Sequence, residues 1–342
     1  MNPPPVDYLL QLANGYAATG VLATALELDL FATLDKLGPT ELDDLAIAIG
    51  LSPRPAEQFL AACVGLGLTI VDADNRCHNS DLATAYLLPH RPGYLGDFVR
   101  FQFDREYPAW HRLADALRDN QPITRQSDPR RHRLFDRTDP DIKGFITALH
   151  PMAISAGAAM AKLPIWDDHH ALLDVGGGSG GYSLGLCEAL PALTATVYDV
   201  DDITDITRGF VGHHGRITVI DGDFYTDPAL PGSHDTILLA NILHDWGPDT
   251  RAMLLTKAHA ALPHNGAIII IEHMLDDTRT GPLQAAVMGL NMIVETDAGR
   301  SYHPADHAKA LRAAGFTDIQ THASDLPTGN YLIIGRAHHL SP

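Results

Sequence analysis

Cysteine is scarce in this chain, with three in 342 residues, at Cys63, Cys77 and Cys187. The number is odd, the spacing is wide and no Cys-x-x-Cys occurs. That excludes a disulfide framework and a structural zinc centre, and it points to a reducing compartment. Long apolar runs are also lacking. The longest uninterrupted apolar strand, Ala267–Ile271, falls far short of the ~20 residues of a membrane-spanning helix, although apolar residues make up 45% of the chain and can build a sizeable core. Basic residues are outnumbered, 24 Lys and Arg against 42 Asp and Glu, for a net charge of −18. Such a surface repels phosphate backbones and argues against a nucleic-acid partner. The opening stretch MNPPPVDYLLQLANGYAATG has no basic segment and no apolar core of a signal peptide. The expectation is a cytoplasmic protein with neither a membrane nor a nucleic-acid partner. The 19 histidines are scattered, and the pairs His169–His170, His213–His214 and His338–His339 lie in polar stretches, so no metal site is expected.

What is present falls into two styles of sequence. Residues 7–35 carry apolar side chains at helical spacing and read as helix. After them come a helix with Thr40 as its expected cap, a turn at LSPR, a second helix, and a hairpin from Leu68 to Asn79 turning at DADN. That order is a winged helix. Its would-be recognition helix, from Pro53, carries one Arg and one Glu, whereas a DNA-reading helix needs exposed basic and amide side chains. The module therefore reads as a packing and dimerisation unit. Residues 81–165 read as largely helical, with the aromatics of YLGDFVRFQFDREYPAWHRL as core and loop material over NQPITRQSDPRRHRLFDRTDP. From about residue 166 strands and helices alternate through ALLDVG, ATVYDV, ITVIDGD, HDTILLAN and AIIIIEHML, the pattern of a parallel sheet covered on both faces. The last two strands, FTDIQTHA and YLIIGRA, lie too close together for a crossover helix and imply an antiparallel hairpin. The expected domains are 1–110, a helical linker 111–165 and a sheet domain 166–342.

The chemistry gathers at strand ends. The first strand runs into LDVGGGSGGYSLGL, where Asp174 precedes Gly176, Gly178 and Gly181 in G-x-G-x-x-G spacing. Glycines there let the backbone turn sharply and let a ligand approach it. Asp199 ends the second strand, roughly twenty residues on, where a ribose-binding carboxylate is expected. The third strand leads to Asp223, able to accept from an adenine amino group, and Phe224, able to cover the adenine face. To this point a nicotinamide dinucleotide fits as well, which keeps an NAD-dependent oxidoreductase open. Three acidic strand ends, however, suit a cationic, ribose-bearing ligand without phosphate, namely S-adenosylmethionine. The fourth strand stops at Asn241, and His244, Asp245 and Trp246 follow almost at once. Burying a His beside an Asp costs free energy unless both find partners.

LDVGGGSG, YDV, GDFY, NILHDW and the closing hairpin together resemble the class I S-adenosylmethionine-dependent methyltransferases. The similarity is to their two-domain O-methyltransferase branch, which includes plant caffeate and flavonoid enzymes, hydroxyindole O-methyltransferase and bacterial tailoring enzymes of secondary metabolism. It runs from about residue 8 to residue 337. It implies an α/β fold: a Rossmann-like seven-stranded methyltransferase domain with an antiparallel last strand, preceded by an all-α/winged-helix dimerisation domain. It also implies a homodimer, S-adenosyl-L-methionine as cofactor and a small aromatic substrate. His244 would be the general base and Glu272 its carboxylate partner. The cofactor would be held by Asp174, Gly176, Gly178, Asp199, Asp223, Phe224, Asn241 and Trp246, the last against the adenine. A phenol ionises near pH ~10, and a neutral imidazole can take its proton as the oxygen attacks. Two positions depart from the family pattern. Ser301 stands where a second glutamate is usual, with Glu295 nearby in sequence, and Ala240 stands where a Lys often precedes the HDW motif. N- or C-methylation, or a non-methylating reaction with the same cofactor, are the alternatives within the resemblance.

Overall fold

The computed structural model describes residues 6–124 and 142–339, and they form two compact units that divide after Pro108. The first opens with three helices, Val6–Ala13, Gly15–Glu27 and Leu30–Leu37, where the sequence suggested a single one. Apolar spacing continues through both breaks, but Asn14 leaves the helical region and Asp29 sits at φ 51, a left-handed conformation that a right-handed helix cannot include. Helices Leu42–Ala48 and Pro53–Gly65 follow. Thr40 does not cap the first of them. It lies in a short strand, β1 (Thr40–Glu41), pairs with Cys77, and donates its hydroxyl to Gly38 O at 2.7 Å. The hairpin β2 (Thr69–Val71) and β3 (Arg76–Asn79) turns through Asn75 at φ 60 and completes a three-stranded wing in the order β1-β3-β2. Phe31, Leu34, Leu45, Leu60, Cys63 and Cys77 pack together beneath it. Helix Val6–Ala13 buries none of its residues. Val6, Tyr8, Leu9, Leu10 and Leu12 are each more than half exposed.

The second unit is built on a seven-stranded sheet in the order β6-β5-β4-β7-β8-β10-β9. The strands are β4 (Ala171–Val175), β5 (Thr194–Asp199), β6 (Ile217–Asp221), β7 (Thr236–Ala240), β8 (Ala267–Glu272), β9 (Phe316–Leu326) and β10 (Gly329–Ala337). β4 to β8 pair in parallel, and β10 lies antiparallel to both β8 and β9. Every residue of β8 is buried, because Ile268 and Ile270 face one core while Ala267, Ile269 and Ile271 face the other. A strand covered on both sides must read as a continuous apolar run. The loop expected over Asn120–Pro140 lies mostly outside the described residues. Among the described residues no single helix is long and apolar enough to cross a membrane.

Helices Ile142–Met160 and Gly181–Ala189 approach each other backbone to backbone. A Cβ on Gly181 would lie 2.7 Å from Ala153 Cβ, and one on Gly185 would lie 2.8 Å from Ala158 N. Gly185→Ala is therefore expected to cost about 1–3 kcal/mol by overpacking. The thermal unfolding midpoint should fall by roughly 2–4 °C per kcal/mol.

Candidate active site

The carboxyl ends of β4 to β8 carry the site. Asp174 is buried at the end of β4. One carboxyl oxygen accepts from Ser183 Oγ at 2.7 Å, while Oδ1 has no partner. Burial pushes its pKa up to about 6, and the nearby Asp199 adds to the shift. Asp199, at the end of β5, retains some exposure, yet desolvation raises its pKa to about 6 as well. Its carboxylate accepts the backbone N–H of Gly178 at 2.9 Å and that of Val200 at 2.8 Å. The glycine loop is thus folded onto Asp199. Gly178 sits at φ +56, a conformation that an L side chain adopts only with strain.

The same hydrogen bonds test which ligand fits. A pyrophosphate at such a loop needs free backbone N–H groups. Here Gly176 N donates to Tyr198 O at 2.8 Å, Gly180 N donates to Gly177 O at 2.9 Å, and Gly178 N is taken by Asp199. With these three amides spoken for and an unpartnered Asp174 oxygen buried beside them, the loop leaves a carboxylate acceptor where a dinucleotide would need donors. That suits a cationic, phosphate-free ligand and sets the dinucleotide reading aside.

Asp223 and Phe224 lie just past β6, both half-buried. Asp223 Oδ1 accepts the N–H of Tyr225 at 2.8 Å, which shapes the turn. Trp246 meets Phe224 edge-on at a centroid distance of 5.5 Å and stacks on Tyr225 at 5.9 Å. These three rings make an aromatic corner, in which Tyr225 was not foreseen. Asn241, at φ 55, turns the chain sharply after β7, and its side-chain amide donates to Tyr182 Oη at 3.3 Å.

That turn delivers His244 and Asp245 into a buried 3-10 segment, Leu243–Asp245. His244 N donates to Glu272 Oε1 at 2.9 Å, and Nδ1 of the same imidazole lies 3.9 Å from that oxygen without a hydrogen bond. Nε2 lies 3.5 Å from Asp245 Oδ1. Desolvation raises the Asp245 pKa to about 7, with further upward pushes from Glu272 and Glu295. Arg300 N donates to His244 O at 2.7 Å, and Tyr302 Oη donates to Trp246 O at 2.9 Å, so the motif is clamped on both sides. Ser301 is buried with its hydroxyl on Ala285 O at 2.7 Å, and it makes no hydrogen bond toward His244. Three residues around Glu272, namely Arg251, His307 and Tyr302, had not been picked from the sequence. Their only signal was position. Arg251 shares a helical stripe with buried Leu254, Leu255 and Ala258, and His307 shares one with Leu311.

Comparison with known proteins places the chain in a family. The O-methyltransferase domain family matches residues 110–317, and the O-methyltransferase dimerisation domain family matches residues 10–89. The chain is 33% identical to a 3-hydroxy-5-methyl-1-naphthoate 3-O-methyltransferase of Streptomyces sahachiroi, over 96% of this chain and 94% of that protein. It is also 33% identical to the tetracenomycin polyketide synthesis 8-O-methyl transferase TcmO of Streptomyces glaucescens, covering 96% of each. Among solved structures, human N-acetylserotonin methyltransferase in complex with S-adenosylmethionine superposes with a TM-score of 0.88 at 26% identity, covering 99% of both chains. The family match, the strand-end carboxylates and the buried His244–Glu272 pair converge on one assignment: the chain belongs to the O-methyltransferase family.

Proposed function

We propose that this protein transfers the methyl group of S-adenosylmethionine to a hydroxyl of a small aromatic acceptor, with His244 as the base. The observation that carries this reading is the buried His244 at the end of β7, whose backbone is fixed by Glu272 and Arg300 so that its imidazole lies 3.9 Å from the Glu272 carboxylate. When bound, S-adenosylmethionine supplies an electrophilic methyl on a sulfonium for in-line displacement. Asp199 would hold the ribose hydroxyls, Asp174 the cationic amino-acid end, and the corner of Phe224 and Trp246 the adenine. Gly176 and Gly178 let the loop adopt its positive-φ turns, and Asp223 and Asn241 shape the turns beside it. His244 takes the acceptor proton at Nε2, and Glu272 stabilises the imidazolium that forms. Positioning does much of the remaining work, because displacement demands alignment.

One Streptomyces relative is named for a hydroxynaphthoate and the other for tetracenomycin polyketide synthesis, and a fused-ring phenol of that kind is the acceptor we infer. The test is to incubate the protein with methyl-labelled S-adenosylmethionine and hydroxynaphthoate, tetracyclic phenol or N-acetylserotonin acceptors. Label on a phenolic oxygen is expected. Label on nitrogen or carbon, or none from a protein that binds S-adenosylhomocysteine, would favour the alternative chemistries. Three buried free thiols fit a cytoplasmic setting.

Cofactor binding should release protons. Asp174 and Asp199, raised to about 6, and Asp245, raised to about 7, favour their neutral forms in the folded, ligand-free protein. Their stabilising contribution is present below the ordinary carboxylate range and is lost as pH rises through 6 to 7. The cationic end of the cofactor beside Asp174 favours the ionised form of that carboxyl. Affinity should therefore rise with pH across this window. Calorimetry at about pH 5.5 in buffers of different ionisation heat should detect the released protons; buffer-independent heats would refute it.

We further infer a homodimer through the N-terminal unit, whose first helix leaves Tyr8, Leu9, Leu10 and Leu12 exposed. Light scattering should give twice the chain mass, and Leu9→Asp with Leu12→Asp should give a monomer.

A further inference from the structure

Glu272 is fully buried, and its carboxylate faces charged groups on several elements. His244 and Asp245 approach from the turn after β7, and His273 follows on the same chain segment. His307 and Arg251 approach from two helices packed against the sheet. Glu295 acts on the cluster through Asp245. His307 Nε2 lies 3.3 Å from Glu272 Oε2, and His307 is itself fully buried. On the far side of that ring, Nδ1 is 3.2 Å from Arg251 Nη2. A guanidinium can only donate, so His307 Nδ1 accepts and its proton sits on Nε2, facing Glu272. Arg251 is buried in turn, with its guanidinium 3.5 Å above the Tyr302 ring, whose hydroxyl holds Trp246 O. A row of side chains thus runs from the Trp246 backbone through Tyr302, Arg251 and His307 to the carboxylate beside His244.

We propose that Arg251 and His307 are positioning residues, a relay that keeps Glu272 an oriented carboxylate with Oε1 under His244. This rests on the reading of His244 as the base. A buried carboxyl without cationic or donor partners takes up a proton, and a neutral acid cannot stabilise an imidazolium. In this protein the balance falls the other way. Desolvation opposes ionisation of Glu272, but the His307 contact, with His244 and Arg251 behind it, holds its pKa below the usual carboxylate value. The relay also answers the departure at Ser301. Lacking a carboxylate there, the chain firms up the one it has from beneath, through a buried cation.

The test reads Glu272 directly. Infrared spectra with Glu272→Gln as the assignment control should show Glu272 ionised at neutral pH in the wild-type protein. They should show it protonated in His307→Leu and in Arg251→Met. The acid limb of the kcat–pH profile should move up by at least about one unit in both variants, so the rate below neutrality falls roughly tenfold or more. High pH should restore the rate, and affinity for S-adenosylhomocysteine should not change. His307→Gln, whose amide N–H can face the same oxygen, and Arg251→Lys, which keeps the charge, should recover most of the loss and guard against misfolding of the harsher variants. The proposal is overturned if Glu272 stays ionised in His307→Leu and Arg251→Met. It is equally overturned if their rates fall alike at every pH with His307→Gln and Arg251→Lys no better. The infrared result stands whether or not His244→Ala retains activity, so failure of the base assignment and failure of the relay are told apart.

Discussion

His244→Ala is expected to slow methyl transfer roughly 100- to 10,000-fold at neutral pH, the usual weight of acid–base catalysis. The fold should tolerate the change, because the hydrogen bond to Glu272 Oε1 is made by the backbone N–H of residue 244 and survives loss of the ring. Affinity for S-adenosylhomocysteine should also survive, since most groups proposed to hold it lie on β4, β5 and the segment after β6, and Trp246 keeps its own clamp through Tyr302. A phenolic acceptor ionises near pH ~10. Raising the pH therefore supplies the phenolate that the missing base no longer makes, and the variant should gain on the wild type as pH climbs. A rate profile from neutral to alkaline pH is the measurement. Unchanged rates near neutrality would leave the HDW segment as a support for Trp246 and remove His244 from the chemistry.

Gly178→Val should abolish measurable cofactor binding while the protein stays folded. At φ +56 a β-branched residue carries strain of about 1–3 kcal/mol. Relief of that strain would swing the residue 178 N–H off Asp199 and free the loop from its folded-back position. Strain alone accounts for a loss of roughly tenfold to a hundredfold, and the displaced Asp199 carboxylate, the proposed ribose partner, adds to it. Gly178→Ala keeps part of the affinity. Titration calorimetry with S-adenosylhomocysteine, paired with thermal unfolding, separates lost binding from lost fold. Retained affinity in the valine variant would show that the loop backbone does not have to take this shape.

Residue order revealed the loop, the strand alternation and the acidic strand ends because each is a local statement. Gly178 and Asp199 announce their places at strand ends by spacing, and β8 announces its double burial by five successive apolar residues. The three-helix start was hidden for the same reason. Apolar spacing stays in phase across Asn14 and Asp29, and only a backbone angle marks the breaks. Thr40 looked like a cap because its chemistry suits one, but pairing with Cys77, far along the chain, took precedence. Arg251 and His307 were illegible in another way. They stand 56 positions apart and meet only because two helices dock on one face of the sheet. A cation on an otherwise apolar helical stripe is a weak signal alone. It becomes informative once the partner across the gap is known.

The placement of β10 between β8 and β9 has a consequence for how the protein comes into being. β8 leaves the ribosome well ahead of β10. Until the final hairpin pairs, a strand with five successive apolar residues is an open sheet edge, the kind of surface that recruits other chains. The hairpin also finishes the neighbourhood of Glu272. Asn330 Oδ1 accepts Met274 N at 2.6 Å, its amide donates to Met274 O at 2.9 Å, and Tyr331 pairs with Glu272 itself. The last strands to be synthesised are therefore the ones that hold the Glu272 end of β8 in place. A nascent chain halted before Phe316 carries His244, Glu272 and the glycine loop, yet it is sticky and unfinished. Solubility and competence arrive together, with the closing of one hairpin.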